Sequence, residues 1–235
     1  MSTRAGLALL TLLALADCRD NPRDANGGFP LARRDVAPIV NDRFSTEDAR
    51  DRLGEAETVM RLAGIAPGMS VADIGAGEGY YTVRLAKAVG EQGRVLAQDI
   101  IPETRDALAR RVQRENLDNV TVRLGAEADP RLPAASFDRI FMVHMYHEVT
   151  EPYEFLWNLR AGLKEDGRIV VVDADRPVKR HGMPPKQLDC EFAALGLERV
   201  ASAPIDGTDA YFAEYRIAAP RPAPAAIEPC YSGKN

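Results

Sequence analysis

Much that would place a chain at sight is missing here. Only three cysteines occur, Cys18, Cys190 and Cys230, and they form no CxxC pair or other metal-ligand spacing. A zinc ribbon or dithiol redox site is therefore excluded. The formal net charge is −5, so no overall basic field draws the chain to nucleic acid or to anionic lipid. The arginines between Arg105 and Arg114 alternate with acids and read as one solvated helix face. The longest apolar run, Ala5 to Ala16, falls short of the roughly 20 residues a membrane-crossing helix needs.

That short run has another use. "MSTRAGLALLTLLALADCRD" sets one early cation, Arg4, before an apolar stretch of the length found in secretion signals. Ala14-Leu15-Ala16 forms a small-x-small cleavage site, and "LADC" resembles a lipoprotein lipobox, although Asp17 is charged where that motif is neutral. Residues 1–18 are thus expected to be a signal peptide or a lipoprotein signal. Export follows, with membrane attachment if Cys18 is lipidated; a cytoplasmic location follows if the segment is no signal. Residues 19–44 read as an extended leader and 219–235 as a disordered Pro/Ala-rich tail. Cys190 and Cys230 are free to pair in an oxidising compartment.

Between these ends, helical and strand patterns alternate over residues 45–218. Ser45 or Thr46 caps a helix expected to run to about Ala63. Strands are expected at Ser70 to Ile74, Arg94 to Asp99, Val120 to Leu124 and Phe137 to Val143. "RIVVVDA", after a turn at "KEDG", is apolar enough to be buried on both faces. A closing hairpin about "DGTD" makes one terminal strand antiparallel. Repeated βα units imply a doubly wound α/β fold, a mostly parallel sheet with helices on both faces.

In such folds ligands bind beyond the carboxyl ends of the strands. "VADIGAGEGYY" places Gly75, Gly77 and Gly79 there, beside Asp73 and Glu78. A dinucleotide fingerprint needs glycine where Tyr80 stands, and no GK[ST] phosphate loop follows. Carboxylates at the mouth repel pyrophosphate, since like charges about 4 Å apart cost roughly 4 kcal/mol near a surface. A cationic nucleoside without phosphate is the ligand such a turn favours. Asp99, ending the second strand, can accept from both ribose hydroxyls, and Ile100 can pack on adenine; capping of the next helix is the alternative role for Asp99.

"VADIGAGEGYYTVRLA", "GRVLAQDI", "LGAEADPRLPAASFDRIFMV" and "LKEDGRIVVVD" together resemble the class I S-adenosylmethionine-dependent methyltransferases. The resemblance implies a seven-stranded sheet whose last strand is antiparallel. It also implies S-adenosylmethionine as cofactor, bound by Asp73, Gly75, Gly77, Gly79 and Asp99. Where that family often has Gly-Asp after the third strand, this chain has Gly125-Ala126, with Glu127 next in line for the adenine amino group.

All three histidines fall near the expected active edge. His144, His147 and Glu148 follow the fourth strand, and His181 follows the fifth. Histidine titrates near neutrality, so one of the three can take an acceptor's proton, with Glu148 orienting it or binding a cationic acceptor. The order His-x-x-His-Glu is not that of zinc peptidases, so no metal is expected. Asp173 and Asp175 either line the acceptor pocket or finish the turn. The Asn-Pro-Pro-Tyr signature of many methylases of nucleic acid and protein is missing, which with the acidic balance favours a small-molecule acceptor. A non-catalytic binder of a nucleoside metabolite on the same fold is the second reading.

Overall fold

The computed structural model describes residues 27–39 and 46–231. The signal segment and Cys18 lie outside the described residues. Strands β1 (Ser70–Ile74), β2 (Arg94–Asp99), β3 (Val120–Leu124), β4 (Phe137–Val143), β5 (Leu163–Ala174), β6 (Leu197–Pro204) and β7 (Ala210–Ile217) form one sheet, ordered β3-β2-β1-β4-β5-β7-β6. The first five are parallel, and β7 is antiparallel to both β5 and β6. The order reverses at β1, so a crevice opens between the carboxyl ends of β1 and β4, where doubly wound sheets bind ligands.

Side-chain alternation splits the core in two. Ala72, Ile74, Ile140, Met142, Ile169 and Val171 pack with Leu156 and Leu159 of one helix, Pro152–Arg160, and Leu188 and Phe192 of another, Pro185–Ala193. On the opposite face Val71, Val95, Phe141, Val170 and Val172 meet Val59 and Leu85 from helices Glu55–Leu62 and Tyr80–Val89. The central strand β5 is therefore apolar on both sides, as its composition predicts. Its ladder begins earlier than expected. Phe137 pairs with Leu163 and Arg139 with Arg168, so the "KEDG" residues bulge within the strand instead of ending it.

The first helical segment is two helices, α1 (Glu47–Arg52) and α2 (Glu55–Leu62), rather than one. Gly54 sits between them at φ +62, a left-handed turn that an apolar period does not reveal. The remaining helices are α3 (Tyr80–Val89), α4 (Pro102–Arg114), α5 (Pro152–Arg160) and α6 (Pro185–Ala193).

Both chain ends depart from expectation. The described part of the leader, 27–39, lacks regular structure yet buries Phe29, Arg34 and Ala37. The described part of the tail, 219–231, is packed where composition predicts disorder. Trp157 of α5 donates to the Pro222 carbonyl at 3.0 Å, Arg221 stacks 3.4 Å above the Trp157 ring, and Ile227 is buried. A disulfide joins Cys230 to Cys190 on α6. Proline and alanine carry little order of their own; docking to α5 and the covalent link supply it. Closing a 40-residue separation restricts the unfolded chain, so replacing both cysteines with serine is expected to cost about 2–4 kcal/mol of stability. Thermal unfolding of oxidised wild type against the double variant checks this, and equal midpoints would remove the bond's structural role.

Candidate functional site

The loop after β1 forms the floor of a cavity of about 790 Å³, within the usual range for a small-molecule site. Gly75 and Gly77 line it. Gly77 holds φ +55, and a side chain there would project into open space, so glycine leaves the backbone bare toward a ligand. Gly79 has a different job. It is buried, and a Cβ on it would stand 2.4 Å from Leu108 Cδ1, so it lets α3 and α4 close together beneath the site.

Asp73 does not reach the cavity wall. It is buried below the turn, and its Oδ2 accepts from Thr82 Oγ1 at 2.6 Å. Burial pushes its carboxyl up to about 6 against the opposing Thr82 hydrogen bond. It therefore braces the turn from behind and contributes no charge at the mouth. The acids there are Glu47, Glu78, Asp99, Glu103, Glu127 and Glu148, against Arg50 as the lining Lys or Arg among the described residues. The electrostatic preference for a cation thus holds with different residues.

Asp99 occupies the position expected of it. Its Oδ2 accepts from the Gly77 N–H at 3.0 Å and its Oδ1 from the Ile101 N–H at 2.9 Å. The second contact is an Asx turn onto Ile101, the N-cap of α4, and not a cap of the helix, which receives no side-chain cap hydrogen bond. Each carboxylate oxygen keeps a second lone pair for a ligand. Ile100 and Glu127 both line the cavity, Ile100 half-buried and Glu127 exposed. Gln98 was not anticipated. It lines the cavity, is almost wholly buried and lies so close to Gly125 that a Cβ there would meet its Nε2 at 1.6 Å. A polar residue inside "RVLAQD" was the one sequence signal for it.

At the far end the histidines separate. His144, at φ +53, lines the cavity and places Nε2 3.3 Å from Glu55 Oε2. Glu55 also accepts from Arg50 at 2.6 Å and from the Tyr81 hydroxyl at 3.1 Å. Burial raises the Glu55 carboxyl, but His144 and then Arg50 outweigh it and hold the group down at about 2. His147 is fully buried behind the wall, with Nδ1 2.9 and 3.0 Å from the Asp173 oxygens. It does not line the cavity, so direct contact with an acceptor there falls to His144 and Glu148. Asp175 is exposed, its N–H bonded to the Asp209 carbonyl, and does not line the cavity either.

The remaining wall comes from elements whose role the sequence hid. Thr46, Glu47 and Arg50 of the α1 region close one side, and Ala37, Pro38 and Ile39 of the leader close another. Arg111 of α4 holds α1 through Glu47 at 2.5 Å, and the Ala37 N–H donates to the His147 carbonyl at 3.0 Å. Volume, acid-rich lining, bare glycine backbone and the paired oxygens of Asp99 all fit S-adenosylmethionine, a cationic nucleoside.

Comparison with known proteins agrees with that fit. A family model described as a methyltransferase domain matches residues 71–167. A protein-L-isoaspartate O-methyltransferase of Methanopyrus kandleri is 27% identical over 74% of this chain and 82% of its own length. A ubiquinone/menaquinone biosynthesis C-methyltransferase of Pseudoalteromonas translucida is 29% identical, with 63% of each chain covered. A solved S-adenosylmethionine-dependent methyltransferase of Aquifex aeolicus shares the fold, with a TM-score of 0.65 and 24% identity over 74% of this chain and all of that one. The matched segment carries both the glycine turn and Asp99, and the sheet shares the fold of the solved enzyme: the chain carries a methyltransferase domain of the class I S-adenosylmethionine-dependent kind.

Proposed function

We propose that this protein transfers a methyl group from S-adenosylmethionine to a small-molecule acceptor, outside the cytoplasm. The observation that carries the acceptor class is the shape of the cavity. It runs from the glycine turn past Met145 to Glu148 and Phe155, and the leader and α1 wall it in. A recess walled on these sides admits a small molecule more readily than a folded protein or a nucleic-acid strand.

Bound there, the cofactor supplies a methyl group on a positively charged sulfur. The chain's own residues do the positioning. Asp99 accepts from the ribose hydroxyls, Ile100 packs on the adenine, and Glu127 accepts from its amino group. His144 and Glu148 flank the acceptor, and holding two reactants in line supplies about 7–11 kcal/mol of a barrier. The disulfide between Cys190 and Cys230 supports export, because such bonds persist in oxidising compartments. The secretion-like pattern of residues 5–16 supports the same location.

The test offers labelled S-adenosylmethionine with low-molecular-weight, protein and tRNA fractions of the source cells. Label is expected in the small-molecule fraction alone. Label only in protein or tRNA would overturn the acceptor class, and tight cofactor binding with no transfer anywhere would establish the binding-only alternative. Recovery of the protein from the cytosol with both thiols reduced would overturn export.

A further inference from the structure

His181 reaches His147 and Glu148 from a different loop. One ring nitrogen of each histidine and a carboxylate oxygen of Glu148 all lie within 4.8 Å of one another. The two rings meet edge to face with centroids 5.6 Å apart.

Both histidines are held from behind. The His147 Nδ1–H donates to Asp173, whose Oδ1 also accepts the Ala174 N–H at 2.8 Å. That bond sets the proton on Nδ1 and the lone pair on Nε2, the tautomer that carboxylate–histidine–metal sites use. His181 is held at φ +56, with its N–H on the Val178 carbonyl at 2.9 Å and its own carbonyl accepting from Arg176 Nε at 3.1 Å. At Gly182, which follows, a Cβ would stand 2.3 Å from Arg176 Cγ, so the loop closes tightly about the histidine. Nδ1 of His181 is buried with no hydrogen-bond partner among the described residues, a costly arrangement that a bound cation relieves.

The geometry points to a divalent metal ion of the zinc class, held by His147, Glu148 and His181 and steadied by Asp173, at the acceptor end of the cavity. Two imidazoles and one carboxylate are the protein ligands of many catalytic zinc sites, which keep a further position open. The same set also suits iron(II). Bonds of about 2.0–2.2 Å would require the three groups to draw closer together than they stand here. Glu148 lines the cavity as well, so the open position faces the space assigned to the acceptor. The ion's role in orienting an acceptor rests on the proposed function; its binding does not. The peptidase-like order His144-x-x-His147 is not the basis of this site, since His144 is engaged with Glu55.

The test titrates zinc into chelator-stripped full-length protein by calorimetry and measures metal content after dialysis. About one equivalent is expected. His181→Ala, a loop variant, is expected to bind at least ~10-fold more weakly, and Asp173→Asn about 10–100-fold more weakly. No retained zinc in wild type, or wild-type affinity in both variants, would overturn the site. Calorimetry with S-adenosylmethionine on the stripped protein keeps the two readings apart. Cofactor binding without zinc binding sinks the ion alone, and zinc binding without cofactor binding sinks methyl transfer.

Discussion

Arg34→Ala is expected to lower the free energy of unfolding by about 3–5 kcal/mol, because it strands a buried carboxylate. Arg34 Nε donates to Glu191 Oε1 at 2.8 Å, and the two side chains are 1% and 0% exposed. Glu191 also accepts from the Tyr146 hydroxyl at 2.7 Å and from Gln187 at 2.9 Å, but neither group brings a positive charge. Arg34 further donates to the Val149 carbonyl at 3.2 Å and so ties the leader to the turn beside the cavity. Loss of the leader's anchor would also loosen the wall formed by Ala37, Pro38 and Ile39. Urea denaturation measures the first effect and calorimetry with S-adenosylmethionine the second. A double variant that adds Glu191→Gln should recover much of the stability, since no buried charge is then left unpaired. If Arg34→Ala alone unfolds at the wild-type urea midpoint, the strap is ornamental and its place in the site wall loses support.

Asp99→Ala is expected to weaken S-adenosylmethionine binding by about 3 kcal/mol or more, which is at least ~100-fold in Kd. Hydrogen bonds to a charged acceptor contribute roughly 1.5–3 kcal/mol each, and two ribose hydroxyls are within the carboxylate's capacity. The variant also removes the acceptor of the Gly77 and Ile101 N–H groups, which loosens the turn before any ligand arrives. Asp99→Asn should fall between, for one oxygen survives and the charge does not. Calorimetry on the three proteins reads the series. An alanine variant with wild-type affinity would leave Asp99 with only its turn bonds to Gly77 and Ile101.

The sequence alone was enough for the sheet and for the glycine turn that lines the cavity. Strand limits at β1 to β4 could be read because apolar patterning and turn residues act over a few neighbours. Gly75, Gly77 and Asp99 were legible for the same reason: a strand-to-helix turn stripped of side chains is a local event. Assignments that needed a distant partner failed or stayed open. Asp73 was read as a mouth acid and proved to be a brace under Thr82, because the direction of a side chain at a strand end depends on what packs behind it.

Only the tertiary structure decided what surrounds that core. Arg34 meets Glu191 across 157 residues, and nothing in the irregular leader marks that arginine as buried. The Pro/Ala-rich tail is ordered by Trp157 and by Cys190, neither of which lies near it in the chain. The same holds at the far end of the cavity, where a loop after β5 brings His181 to His147 while His144 turns to Glu55. Periodicity and propensity record the interactions of neighbours; charge pairing, disulfide closure and ligand clusters join groups that the chain keeps apart until it folds.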